Sequence, residues 1–369
     1  MEGNTEFQRP QKPRQENIKP EDQSLEAAEG GWLRRLKARF NRVFSKEEKL
    51  RGEPKIEIEI FYSGHGNARD LEGLRKRFIK CDIYIPEISA WTEGALRYFR
   101  GVSAGKFNPK ELTKDTNLSE NTGIYKILQI IHKSNKPITI IDIPANPAIW
   151  KPNLIIPLDE SFNLQLEDTF GRQLDSVRSL LQDEATYQDQ REDHMISSLN
   201  PRVQELLEMH PSLKKKKNVR VLLSLGAVHT SLYHTLKKYD SSIIRTMDRM
   251  PVAYNFDDEG VRRYMFGKEV DDNLAARVFL EGLFLHSVIK ISLLQRVNSM
   301  KIVDLKRKVI SEFSFEEAKE IFKKLKQGES VWQLFETKFA EKGIKIPSSE
   351  KELDEFLAKP LPRSDTVKE

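Results

Sequence analysis

The chain has 369 residues, 38% of them hydrophobic and 32% charged, with 61 basic against 56 acidic side chains and a net charge of +5. An excess that small argues against a nucleic-acid-binding surface, and a single cysteine, Cys81, excludes an internal disulfide or a cysteine-based zinc site. The length suits one large α/β domain with appendages, or two modest domains.

Residues 1–30 are polar, rich in Pro, Gln, Glu and Lys, and too poor in apolar side chains to offset the entropy of ordering. They read as a disordered tail, and with no apolar run there, no secretory signal is read. Residues 31–50 contain "WLRRLKARFNRVF", a basic amphipathic helix with Trp32, Leu36, Phe40 and Val43 at helical spacing. Such a helix either docks on its own domain or makes a peripheral membrane or protein contact through residues 32–43.

From residue 51 to 298 the pattern is that of an α/β domain. "IEIEIFY" alternates as a strand does, "ARDLEGLRKRFIK" has helical spacing, and "CDIYIPE" is a second strand. Helical stretches near 90–103 and 120–134 precede "KPITIIDIP", read as a third strand. A long polar helical region over 160–210 leads to "NVRVLLSLG", the fourth, and "AVHTSLYHTLKKY" opens the next helix. Strands spaced by helices predict a mainly parallel sheet covered by helices on both faces. The apolar stretch "ARVFLEGLFLHSVIKISLL" carries Arg277, Glu281, His286 and Lys290 and is not read as a membrane span. Residues 299–360 form a charged helical C-terminal appendage, in which Ser314 caps one helix and Gly328 closes it, and 361–369 form a tail. The protein is expected to be soluble and cytoplasmic, or membrane-peripheral.

In an open parallel sheet the carboxyl ends of the strands share one edge, where ligand crevices form. His65, Glu87, Asp142 and His229 stand at the four predicted strand ends, so they are expected to converge. Gly64 and Gly66 flank His65 and allow close backbone approach. Singly, each has an ordinary explanation: a turn histidine, a helix-capping glutamate, an aspartate fixing a turn. Together, two imidazoles and two carboxylates suit a divalent metal such as Zn, Mn or Co, or a general-base histidine oriented by an acid. Arg191, with His194 and Met195 on one helix face, offers a planar fork for a carboxylate, a phosphate or a developing oxyanion. Cys81 reads as a small buried apolar residue, and "FDDEG" and "EVDDN" read as acidic turns and helix caps.

The order of these residues, Gly64–His65–Gly66, then Glu87, then Arg191-x-x-x-Met195, then Gly226-x-x-His229-Thr230, resembles the superfamily of erythromycin esterases, ChaN-like lipoproteins and the TraB/Tiki proteins over about residues 55–295. The chain has Tyr62 and Ser63 where members often have a glycine and an acidic residue, and Glu192 where Asn or Asp commonly follows the arginine. The resemblance implies hydrolysis of an ester, lactone or peptide bond in a small-molecule or peptide substrate. It implies catalytic roles for His65, Glu87, Arg191 and His229, and His65, Glu87 and His229, with Asp142 added from strand position, would be the metal ligands. The alternatives on the same scaffold are a protein that binds haem, metal or an anionic ligand, and an inactive interaction protein.

Overall fold

The computed structural model describes residues 54–63, 68–111, 123–145, 166–239, 242–247, 255–287 and 299–358. His65, the basic stretch at 31–50 and the two predicted tails lie outside them.

The alternating run before His65 is strand β1 (Lys55–Ser63), exposed where it starts and buried over its last four residues. Helix α1 (Ala68–Lys80) leads to β2 (Ile83–Pro86), and α2 (Glu93–Ser103) and α3 (Gly123–Ile131) follow. Helix α4 (Phe170–Met209) has 40 residues and is therefore about 60 Å long. A one-turn helix α5 (Pro211–Lys214) precedes β3 (Asn218–Gly226), and a 3-10 turn over Ala227–His229 runs into α6 (Thr230–Tyr239). Strand β4 (Ile244–Met247) comes next, and among the described residues six helices follow it: α7 (Phe256–Met265), α8 (Asp272–Ser287), α9 (Ser299–Ser311), α10 (Phe315–Lys326), α11 (Val331–Lys342) and α12 (Glu350–Ala358).

The four strands form one parallel sheet in the order β2-β3-β1-β4. Phe61, Tyr84 and Leu222 pack on one face against Leu74 and Phe78 of α1, Phe99 and Val102 of α2 and Leu128 of α3. Ile60, Tyr62, Ile85, Leu223 and Leu225 alternate to the other face and are equally buried. Both faces are therefore covered, as near-continuous apolar strands require.

Two departures from the sequence reading concern the strands. "KPITIIDIP" forms no ladder strand; it touches β2 through the parallel bridge Tyr84↔Ile138, and a second isolated bridge, Trp91↔Pro144, lies beyond the sheet. Pro137 and Pro144 lack amide donors, and β2 itself ends on Pro86, so the pairing cannot extend. Strand β4 went unread, because four residues with Arg245 and Thr246 inside them carry no alternation strong enough to detect.

The helical part has its own core. Phe170, Leu174, Val177 and Leu181 of α4 join Phe256 of α7, Phe284 of α8, Leu305 of α9, Phe322 of α10, Phe335 of α11 and Leu353 of α12. The predicted capping is present: Ser314 and Glu317 exchange side-chain bonds as a capping box. Gly328, with φ +87, ends the turn after α10 in a conformation that other residues rarely adopt. The acidic runs are caps too, since Asn255 accepts from Asp258 N at 2.8 Å and Asp271 from Leu274 N at 2.8 Å. No helix among the described residues is long and apolar enough to cross a membrane.

Candidate functional site

The carboxyl edge of the sheet is built by its register. Ser63, the last residue of β1, lies opposite Gly226, the last of β3, and the Glu87 amide donates to Ser224 O at 2.9 Å just beyond β2. Glu87 and His229 consequently leave adjacent strands at the same level. Asp142 arrives by a different route. Its carbonyl accepts the Trp91 indole N–H at 2.7 Å, and Ala145 N donates to Trp91 O at 2.7 Å, which pins this proline-bounded segment beside β2. Arg191 comes from the middle of α4, where Gln188, Arg191, Glu192 and Met195 follow helical spacing and are all buried.

Four of the five sequence candidates are described, and they meet. Glu87 Oε1 accepts from His229 Nε2 at 3.0 Å and from Arg191 Nη2 at 3.0 Å, while its Oε2 accepts from the Gly226 amide. Asp142 accepts from Arg191 through both oxygens, at 3.1 and 2.5 Å, and from the Ile143 amide at 2.8 Å. Arg191 Nη1 donates to Gln188 Oε1 at 2.9 Å, so each of its three nitrogens is engaged. His65 falls two residues past Ser63, outside the described residues.

Sequence reasoning missed Glu192. Its Oε1 lies 3.3 Å from His229 Nδ1, its Oε2 accepts from the Ser231 hydroxyl, and it is 4% exposed. The imidazole is thus held between two carboxylates, and the Tyr62 hydroxyl fixes the His229 carbonyl at 2.9 Å. The available signal was the run of polar residues, Gln188, Arg191 and Glu192, interrupting an otherwise apolar stripe of α4. His194, expected to share the Arg191 face, is only half-buried and pairs with Ser198 Oγ at 3.2 Å.

Burial by itself would push the His229 proton off, but the facing Glu87 and Glu192 carboxylates outweigh it and raise the group to about 9, against the repulsion of Arg191. His229 is therefore an imidazolium at neutral pH, a donor at both nitrogens. Arg191 loses by burial and gains more from Asp142 and Glu87, so its guanidinium is held above its ordinary value. Burial, then Glu192 and Asp193, raise the nearby Asp189 to about 7. Two buried carboxylates, Asp142 and Glu192, and the partly buried Glu87 thus face two cations.

Comparison of the chain with protein-family models, with curated proteins and with solved structures returned no match. The site must therefore be read from its own geometry.

The Glu87 and Asp142 oxygens are engaged by Arg191, His229 and backbone amides. No group of three or more His, Cys, Asp or Glu among the described residues is placed to hold a metal. Surface depressions of about 500 Å³ beside α10 and 340 Å³ at the amino ends of β1 and β3 include none of the network residues. Glu87 is its most open member, with a side chain 12% exposed against 0% for His229 and 1% for Asp142. Cys81 is buried on the α1 side, its thiol pushed up to about 12 by burial, and is no nucleophile.

Proposed function

We propose that this protein is a hydrolase of an ester, lactone or peptide bond whose proton-transfer group is Glu87. The observation that carries this reading is the asymmetry of the network. Glu87 gathers the His229 imidazolium, the Arg191 guanidinium and the Gly226 amide, yet it is the member nearest to solvent. A carboxylate so held is aimed in one direction and cannot swing away.

In this mechanism a water molecule attacks the scissile carbonyl carbon and Glu87 takes its proton. The same carboxyl then gives that proton to the leaving oxygen or nitrogen as the bond breaks. His229 keeps its own proton throughout and, with Arg191, balances the charge on Glu87. Arg191, fully occupied by Asp142, Gln188 and Glu87, orients the base instead of gripping substrate. His65 is a further candidate that follows β1.

The test is a panel of activated esters, lactones and peptides with wild type and Glu87→Gln, whose amide keeps the shape and loses the base. Loss of general base catalysis predicts a fall of about 10²- to 10⁴-fold in kcat. Unchanged turnover in Glu87→Gln would remove Glu87 from the mechanism. A Soret band in the purified protein, or stoichiometric Zn, Mn or Co by elemental analysis, would replace this reading with a binding or metal-assisted one.

A further inference from the structure

Helix α10 turns Ala318, Ile321, Phe322 and Leu325 into the helical core. The next flank of the same helix then carries Lys319, Lys323 and Lys326, spaced i, i+4 and i+7 and all exposed. These lysines wall a groove of about 500 Å³ between α10 and the start of α4. Its apolar floor is Phe170 of α4 and Phe322, whose ring centroids lie 5.4 Å apart. Asp168, Glu316 and Glu320 complete the lining. The charges here are unequally satisfied. Glu320 faces Lys324 at 3.0 Å and Lys338 of α11 at 2.9 Å, and Asp168 pairs with Arg172 at 3.4 Å. Lys319, Lys323 and Lys326 make no ion pair or hydrogen bond among the described residues, and of the lining acids only Glu316 stands without a cation there.

We propose that this groove docks an acidic peptide segment of a partner protein, with an apolar side chain over Phe170 and Phe322 and carboxylates on the lysine wall. An apolar floor inside a polar rim is the anatomy of a protein-binding surface. Cations left unpaired in that rim select an anionic partner and fix its register. Glu316, at the opposite end of the wall from Lys326, repels carboxylates and sets the direction in which such a segment lies. A single-stranded nucleic acid fits less well, because its bases need open ring faces. Phe170 and Phe322 are only 8% and 5% exposed. A lipid surface fits less well too, since it takes up apolar groups that project, and here they are recessed.

The experiment is fluorescence anisotropy of the full chain with a short fluorescein-labelled peptide of glutamates around phenylalanine. Wild type is expected to bind it, and salt to weaken the binding. Lys319→Gln with Lys323→Gln should raise Kd about tenfold, at up to about fivefold for each exposed pair. Exchanging the phenylalanine of the peptide for serine should also raise Kd about tenfold, through the lost apolar contact. Both lysines are exposed, so these variants leave the core intact. The basic stretch at 32–43 is the same in every variant, so a difference belongs to α10. Lys319→Glu with Lys323→Glu should reject this peptide and take up its counterpart with lysine in place of glutamate, which reports the groove through a gain. The proposal is overturned by absent binding, by variants that bind as wild type does, or by equal affinity for the peptide without phenylalanine. It is equally overturned if the same substitutions release anionic vesicles or a single-stranded oligonucleotide and leave the peptide bound.

Discussion

Replacing Arg191 by methionine keeps most of the side-chain volume and removes the cation that joins Glu87, just beyond β2, to Asp142. Three contacts to carboxylates disappear, Nε and Nη2 to Asp142 at 3.1 and 2.5 Å and Nη2 to Glu87 at 3.0 Å, together with the Nη1 bond to Gln188 Oε1 at 2.9 Å. At roughly 1.5–3 kcal/mol for each hydrogen bond to a charged group the naive sum is about 5–9 kcal/mol. The bonds share one guanidinium and are not additive, and methionine recovers some apolar burial. Asp142 is the deciding member, because at 1% exposure it is left as a carboxylate with the Ile143 amide alone. Breaking a buried pair from one side costs about 3–5 kcal/mol, about a fifth or more of the stability of an ordinary domain. The expected result in urea unfolding is a lowered midpoint corresponding to that loss. Most of this cost is an uncompensated charge, so adding Asp142→Asn to Arg191→Met should restore about 1–3 kcal/mol. A loss below about 1 kcal/mol in the single variant, or no recovery in the double one, would refute this account of the network.

Two pH dependences follow from the buried groups. His229 is raised from 6.5 to about 9 in the folded chain, so the stability it contributes is complete below 6.5 and is lost as pH rises through about 9. His229→Gln should flatten the plot of urea midpoint against pH over that window, and an unchanged slope would count against an imidazolium at this position. Glu281, 2% exposed, accepts from the Phe256 and Asp257 amides at 2.9 and 3.1 Å. Burial raises it from 4.5 to about 8, against the pull of Lys306. The native state then holds more protons than the unfolded one across that range, so stability falls as pH rises from 4.5 to about 8. Glu281→Gln can still accept both amides, and it should remove this slope and unfold later than wild type at pH 8 in a thermal melt.

The α/β class was legible because β1, β2 and β3 are long or apolar enough to show their period, and the helices between them force parallel crossovers. Convergence of Glu87 and His229 was legible for the same reason, since strand ends of a parallel sheet share an edge; Asp142 reaches them from a segment that forms no ladder strand, and Arg191 from α4. What escaped was of a different kind. Glu192 lies next to Arg191 in a run of charged residues, and nothing in a linear pattern says which of several acids turns inward. The segment at Asp142 reads as a strand by composition, and only its prolines tell that pairing stops at single bridges. The protonation of His229 depends on two carboxylates that come from β2 and α4, 142 and 37 residues away by their pairing.

Helix α4 has a consequence for how this molecule could be divided. Its first half supplies Phe170, Leu174, Val177 and Leu181 to the helical core, and its second half supplies Arg191 and Glu192 at the edge of the sheet. Leu174 and Arg191 stand about 26 Å apart on one hydrogen-bonded rod. Excising the C-terminal helices would strip the solvent shield from half of that rod, and the damage would surface at the far end, in the alignment of Glu87. The two layers therefore cannot be exchanged as cassettes.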